Sequence, residues 1–424
     1  MNPEIDVAIE TPATPISAKT VAAFLLGAFL LACGLYHLHV MSRWMAGRSD
    51  LCAPWVAARA ALSGGDAYAA FTTAEIQRIF YGAPLVPGGS EMDKQAFAYP
   101  LYTVFFLAPL TWLSWPMARI AFVLGALPAI AAATFFWLRS THVEAAWRQR
   151  VVYLAFVFAS WPMLVALRHQ QLTLLALFLI SLGAFALTRG QTILSGACFA
   201  FTTIKPQVAI LLLLWLFIRS LRLREWRLQV SFVVTLAGEI IASELLHPGW
   251  LSEWIRAAAA YQHYTSGHPS LCLFFGRWAG DAMLAAVVLI SLKPLWQAAR
   301  SRADSRRLGI ALSLLLAITV ALLPTGLAWV YNQALLLPGC VMLFAMPAQS
   351  STARATRTIA LWCLGISFAF VPLSVLGELL TQPSRVWDNL PYANLILPSV
   401  IAVALAAALA TQVNLAVTTS RWAK

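Results

Sequence analysis

Charge is what this chain has least of. Only 11% of its 424 residues are Asp, Glu, Lys or Arg, and 17 of them are acidic. A soluble domain carries about a quarter charged residues, so an ordinary water-facing surface is excluded. Cysteine is sparse as well. Cys33, Cys52, Cys198, Cys272, Cys340 and Cys363 show no CxxC spacing and mostly fall in apolar stretches. That excludes a zinc ribbon and a disulfide framework and leaves small core residues. No His, Asp or Glu group has metal-ligand spacing along the chain, so neither a metal nor another cofactor is expected. Internal repeats and low-complexity linkers are missing, which points to one domain.

What is present is apolar: 60% of the residues are hydrophobic. The expectation is an all-α, polytopic integral membrane protein. A first apolar run at 21–40, preceded by Lys19 and an acidic tail (Glu4, Asp6, Glu10), lacks a small-residue cleavage site behind it and reads as an anchor. Further runs recur to about residue 411, giving 11 to 13 transmembrane helices with about 12 favoured. Several are shorter than the roughly 20 residues of a straight span. Pro-marked segments such as Ile204-Lys205-Pro206 suggest helices that end inside the protein body, where they line a cavity. The organisation expected is a tail at 1–19, a membrane domain at 20–411 with a long loop at 42–97, and a tail at 412–424, both tails cytoplasmic.

The net charge of +12 would suggest nucleic acid in a soluble protein, but here the basic residues cluster in loops and report topology instead. The Arg-rich loops at 139–150, 219–227, 293–307 and 354–357 are expected in the cytoplasm. The opposite set (42–97, 168–171, 205–206, 247–280, 324–332 and 376–391) is then extracytoplasmic and holds most of the useful polar groups. With 42–97 outside and 139–150 inside, 98–138 must cross an odd number of times, although it reads as two helices. Either one of them is re-entrant or the 139–150 loop lies outside.

The 42–97 loop has internal order. Pro54 suits the first turn of a helix that stops near Gly64-Gly65, and Thr72 with Glu75 forms a capping box for a second helix that places Ile76, Ile79 and Phe80 on one face. Both read as amphipathic helices lying on the membrane, as does 250–264 with Trp250, Trp254, Ala258 and Tyr261 on one face.

Three blocks follow one another at telling spacings. The first is Asp50, then Trp55 and Ala60-Ala61-Leu62-Ser63-Gly64-Gly65-Asp66-Ala67-Tyr68. The second is Phe97-Ala98-Tyr99-Pro100 leading into Phe106-Leu107-Ala108-Pro109-Leu110. The third is Gln170-Gln171-Leu172-Thr173-Leu174-Leu175, then Leu194-Ser195-Gly196 and Ile204-Lys205-Pro206. In order and spacing they resemble glycosyltransferase family 87, closely over about 45–220 and loosely over 250–340. The resemblance implies a GT-C type fold with a long extracytoplasmic first loop. It also implies metal-independent transfer of a hexose, mannose-like, from a polyprenyl-phosphate donor to a lipid-linked or cell-envelope glycan, at the outer face of a bacterial inner membrane. The partners are thus the bilayer, the donor and the glycan acceptor, with no nucleic acid. Two departures stand out: the usual Gly before the family Gln is Gln170, and the late motif that carries His after Trp reads Trp329-Val330-Tyr331-Asn332-Gln333. The second departure puts the mannose preference in question.

Such a transfer needs a base for the acceptor hydroxyl, cations for the departing phosphate and shelter for an oxocarbenium-like centre. Asp50 matches the family's base, although an Asp here also suits a helix cap. Lys205, between two apolar runs, is either a phosphate ligand or a lysine reaching for the interface. Arg168, with His169 and Gln171, suits phosphate or sugar hydroxyls. His263 and, less so, His268 lie in a segment placed like the family's donor-site loop. Tyr99 and Trp329 are the aromatic candidates for substrate, with sugar stacking open to Trp329 or Trp55. Asp66 reads as a turn residue, and Glu239, Glu244 and Asp281 as structurally paired. A lipid or solute transporter (a flippase), or an inactive scaffold on the same fold, are the rival functions.

The orientation can be checked directly. A cysteine placed at Ser63 in a cysteine-free background is expected to react with an impermeant thiol reagent in intact cells. Labelling only after lysis would reverse the orientation.

Overall fold

The computed structural model describes residues 49–86, 94–141, 146–265, 267–300, 305–324, 329–345, 350–380 and 392–422, with scattered positions in 21–36. The expected anchor at 21–40 and the tail before it lie largely outside these residues. Among them all regular structure is helical, apart from an isolated bridge between Pro269 and Pro324.

The first loop folds as a small body of its own. Helix α1 (Cys52–Leu62) has Pro54 in its first turn and stops where Gly64 takes φ +79°. Helix α2 (Ala70–Tyr81) ends at Gly82, φ +89°. Helix α3 (Thr103–Thr111) lies along α1. Together they enclose Leu51, Trp55, Ile76, Phe97, Leu101 and Trp250 in a core separate from that of the helical bundle. Three expectations are corrected here. The capping box does not form: α2 starts at Ala70, and the Thr72 hydroxyl instead donates to the Asp66 carbonyl at 2.7 Å while Glu75 pairs with Arg78. Helix α1 is enclosed by protein instead of lying on a surface, because eight of its eleven residues are buried. Trp55 is a core residue, 2% exposed, donating through Nε1 to the Leu110 carbonyl at 2.9 Å, and offers no face to a sugar.

The bundle proper begins with α4 (Trp115–Ser140), then α5 (Trp147–Ala159) and α6 (Trp161–Arg168), which meet at a 58° bend at Ser160, followed by α7 (Thr173–Thr188) and α8 (Thr192–Phe201). A 3₁₀ turn, Thr202–Ile204, leads into α9 (Pro206–Leu223) and α10 (Trp226–Leu246). Then come α11 (Trp250–Thr265), α12 (Ser270–Phe275), α13 (Arg277–Ala298), α14 (Ser305–Leu322), a 3₁₀ segment Trp329–Leu336, α15 (Leu337–Ala345), α16 (Ser351–Leu380) and α17 (Tyr392–Trp422). The last runs unbroken through the stretch expected to be a tail from 412.

Six segments among the described residues are long and apolar enough to cross a bilayer: α4, α9, α10, α13, α14 and Ile396–Val413 of α17. The bent pair α5–α6 makes a seventh. The chain is thus an integral membrane protein, with six full spans among the described residues, or seven with the bent pair. Helices α7 and α8, with 16 and 10 residues, reach only about 24 and 15 Å at 1.5 Å per residue, short of the roughly 30 Å hydrocarbon layer. Within 98–138, helix α3 has nine residues, about 14 Å, and packs on α1, which leaves α4 as the segment there long enough to cross.

Helix α10 carries Val230, Val233, Val234, Ile240, Ile241 and Leu245 exposed, the stripe a lipid-facing helix presents. In α14, by contrast, 78% of the apolar window is buried, which makes it the central helix. Helices α8 and α10 pack closely through small residues. Ser231 Oγ donates to the Ile193 carbonyl at 2.6 Å, and a Cβ added at Gly196 would sit 2.5 Å from the Leu228 carbonyl oxygen.

That contact is testable. Gly196→Ala is expected to destabilise the protein by about 1–3 kcal/mol, as overpacking does, lowering the unfolding midpoint in detergent. Gly238→Ala on α10, whose Cβ would meet open space, should be neutral or slightly stabilising. Equal effects of the two would show that close packing is not what Gly196 provides.

Candidate active site

The site forms where three chain breaks meet: the turn before α1, the link between α6 and α7, and the link between α8 and α9. Leu172 and Ile204, which flank Gln171 and Lys205, are packed into the core of the first-loop body. The polar residues beside them therefore sit at the seam between that body and the bundle.

The α6–α7 link is held from several sides. Arg168 ends α6, and Gln170 adopts a left-handed backbone, φ +51°. A non-glycine residue there is strained by about 1–3 kcal/mol, which accounts for the glycine in the family pattern. Gln170 is kept in place by its own side chain: its Oε1 accepts from Ser49 Oγ and from Arg119 Nε, the latter at 3.3 Å. Ser49 is fully buried, and its hydroxyl also accepts the Leu51 N–H at 3.2 Å. The Asp50 N–H donates to the His169 carbonyl at 3.1 Å. Backbone and side chain together fix Asp50 against this link.

The Asp50 carboxylate then has two unlike oxygens. Oδ2 accepts from Gln171 Nε2. Oδ1 faces His169 Nδ1 at 3.7 Å, beyond a hydrogen bond, on the side where Asp50 and His169 side chains remain about one-fifth exposed. Behind Gln171 lies Lys205, 2% exposed. Its Nζ donates to Gln171 Oε1 (2.9 Å), Thr173 Oγ1 (2.5 Å) and Asn332 Oδ1 (3.0 Å), and lies 4.9 Å from the centre of the Tyr331 ring. Thr173 also donates to Asn332 at 2.8 Å. Burial pushes the Lys205 ammonium down to about 7, and the Asp50 carboxylate opposes that shift. Gln171 thus joins cation to carboxylate, accepting from one and donating to the other.

Asp50, His169, Gln171 and Lys205 come together as the sequence suggested. Tyr99 is close enough that Asp50, after burial and Tyr261, helps raise its phenol. Arg168 is half-buried beside His169. His263 lies late in α11 and Trp329 opens its 3₁₀ segment, but both side chains are outside the described residues; His268 is exposed. Five residues were missed by sequence reasoning as site members: Ser49, Arg119, Thr173, Tyr331 and Asn332. The signal for the last two was the late motif itself: where the family carries its His, Tyr331 and Asn332 stand against Lys205. Expected pairing fails for Glu239, whose two carboxylate oxygens are buried with no hydrogen-bond partner among the described residues. Glu244 and Asp281 are paired, with the Gly249 N–H and the Cys272 thiol.

An ammonium has three protons, and all three of Lys205's are engaged. Lys205→Met is therefore expected to remove three donated hydrogen bonds and leave the Gln171 amide oxygen without its donor, at about 1–3 kcal/mol for that buried acceptor, and to lower both the unfolding midpoint and turnover. Lys205→Arg should rescue neither, since a planar fork does not fit three converging acceptors. A Lys205→Met protein that unfolds at the wild-type temperature would show that the ammonium does not hold this site.

The model of glycosyltransferase family 87 matches residues 97–326, just over half of the chain. The match takes in Tyr99, Arg168 to Gln171, Lys205 and His263, while Asp50 and Asn332 lie outside it. No curated protein and no solved structure matches the chain.

Proposed function

This chain belongs to glycosyltransferase family 87, a membrane glycosyltransferase, and we propose that it transfers a hexose from a polyprenyl-phosphate donor to a lipid-linked or envelope glycan on the extracytoplasmic face. The observation that carries the reading is the asymmetry of Asp50: one oxygen is tied through Gln171 to a buried cation, and the other is open beside His169.

In the proposed step the acceptor hydroxyl approaches Asp50 Oδ1 and passes its proton to it as the new bond to the anomeric carbon forms. The bond from that carbon to the phosphate oxygen breaks, and the electron pair leaves with the polyprenyl phosphate. Gln171 keeps the carboxylate aimed, and Lys205 anchors Gln171 from behind. The cations assigned to the phosphate are Arg168 at the end of α6 and Arg119, whose Nε holds Gln170. Each presents a planar fork suited to phosphate oxygens. These side chains do the work of charge neutralisation, so the reading requires no metal at the reacting centre. His169 faces the open oxygen and Tyr99 lies near Asp50, and these are the residues assigned to the sugar hydroxyls. The preference for a mannose-like hexose rests on the family resemblance alone.

A base of this kind contributes about 10²- to 10⁴-fold in rate. Asp50→Asn should keep the fold and donor binding while abolishing most turnover of radiolabelled polyprenyl-phosphate hexose with membrane extract as acceptor. Asp50→Glu should recover little, since a misplacement of about 1 Å can itself cost about 100-fold. A well-folded Asp50→Asn protein retaining more than about a tenth of wild-type turnover, well short of such losses, would remove Asp50 as the base.

A further inference from the structure

A second group of chemistry-bearing side chains lies away from Asp50. Asp66 follows the turn after α1, His247 caps the C-terminus of α10, and Glu253 sits in the first turn of α11. His247 Nε2 is 2.7 Å from Glu253 Oε2 and 3.7 Å from Asp66 Oδ1, and the three atoms all lie within 4.8 Å of one another. Ligand atoms on a tetrahedral zinc with nitrogen and oxygen donors are about 3.3 Å apart, given bond lengths of about 2.0–2.1 Å. The observed separations bracket that value. The group is only partly exposed, with side chains 22%, 27% and 36% accessible.

Charge points the same way. The chain has 29 Lys and Arg, yet among the described residues the ionic partner of both carboxylates is His247. Asp66 Oδ1 also accepts the Tyr68 N–H at 2.7 Å, and Thr72 holds the Asp66 carbonyl, which orients this carboxylate from its own backbone.

We propose that Asp66, His247 and Glu253 form a binding site for a divalent transition-metal cation of the zinc class. One imidazole nitrogen and two carboxylate oxygens are ligands that zinc accepts, and three protein ligands leave a position for water. The cation ties the first loop to the α10–α11 corner. It is a structural brace and not part of the transfer reaction: Asp50 and Asp66 flank opposite ends of α1, whose 11 residues span about 16 Å. Sequence spacing could not report this site, because 181 positions separate Asp66 from His247 (247 − 66 = 181).

The test uses full-length protein without a polyhistidine tag, stripped with chelator, loaded with zinc and desalted. Elemental analysis is expected to find one zinc per chain, and zinc but not magnesium should raise the unfolding temperature. His247→Gln and Asp66→Asn should weaken zinc binding by at least about tenfold, since even the outer-shell partners of a metal site contribute that much. Their unfolding temperatures should no longer respond to zinc. Wild-type protein that retains no zinc overturns the proposal even if the variants fail to fold. Retention equal in wild type and His247→Gln overturns it as well, because the metal would then be bound elsewhere.

Discussion

The structure around the candidate active site depends on one buried ammonium. Taking Lys205 out of water costs several kcal/mol, and that cost is offset only because three neutral acceptors from three parts of the chain converge on it. Gln171 comes from the α6–α7 link, Thr173 from the start of α7, and Asn332 from the late 3₁₀ segment. Each acceptor is held by the same ion, so the charge ties together the ends of helices that apolar packing and the Ser49, Arg119 and Asp50 hydrogen bonds also hold. Through Gln171 the ion also fixes Asp50. A carboxylate pinned by one oxygen loses rotational freedom, which is what a positioned base requires.

Both departures from the family pattern become intelligible in these terms. Gln170 stands where a glycine is usual and takes the left-handed backbone that glycine adopts freely. Its side chain offsets the strain by bridging Ser49 and Arg119, which adds an anchor for the turn that carries Asp50. Asn332, in the motif where the family carries His, supplies a neutral oxygen to Lys205. Histidine and asparagine can both accept from a cation, and here asparagine does so.

Helix length decides where this network sits. The full spans set the frame, while α7 and α8 fall short of the bilayer's thickness, and the links at their ends are recessed into the protein body. Irregular backbone with unpaired polar groups is tolerated at such depth only when protein encloses it. Here the first-loop core supplies the enclosure, with Leu172 and Ile204 packed into it and Trp254 donating to the Ala98 carbonyl at 3.1 Å.

The sequence by itself determined the class. Apolar runs, few charges and Arg-rich loops specify a helical membrane protein, since a chain in lipid must satisfy its backbone internally. Local signals placed α1 and its glycine stop, and motif order brought forward Asp50, His169, Gln171 and Lys205. It left the number of spans open between 11 and 13, because composition reports how apolar a run is, not where its helix ends. It read Thr72 and Glu75 as a cap because that spacing takes no account of the Asp66 carbonyl, which competes for the same hydroxyl. Only the tertiary structure decided what Lys205 touches, that Asn332 and Thr173 share it, and that Asp66 meets His247 and Glu253. These contacts join segments more than 30 and up to 187 positions apart. Their energies come from desolvated charge, which has no periodicity along a chain and exists only once the helices have packed.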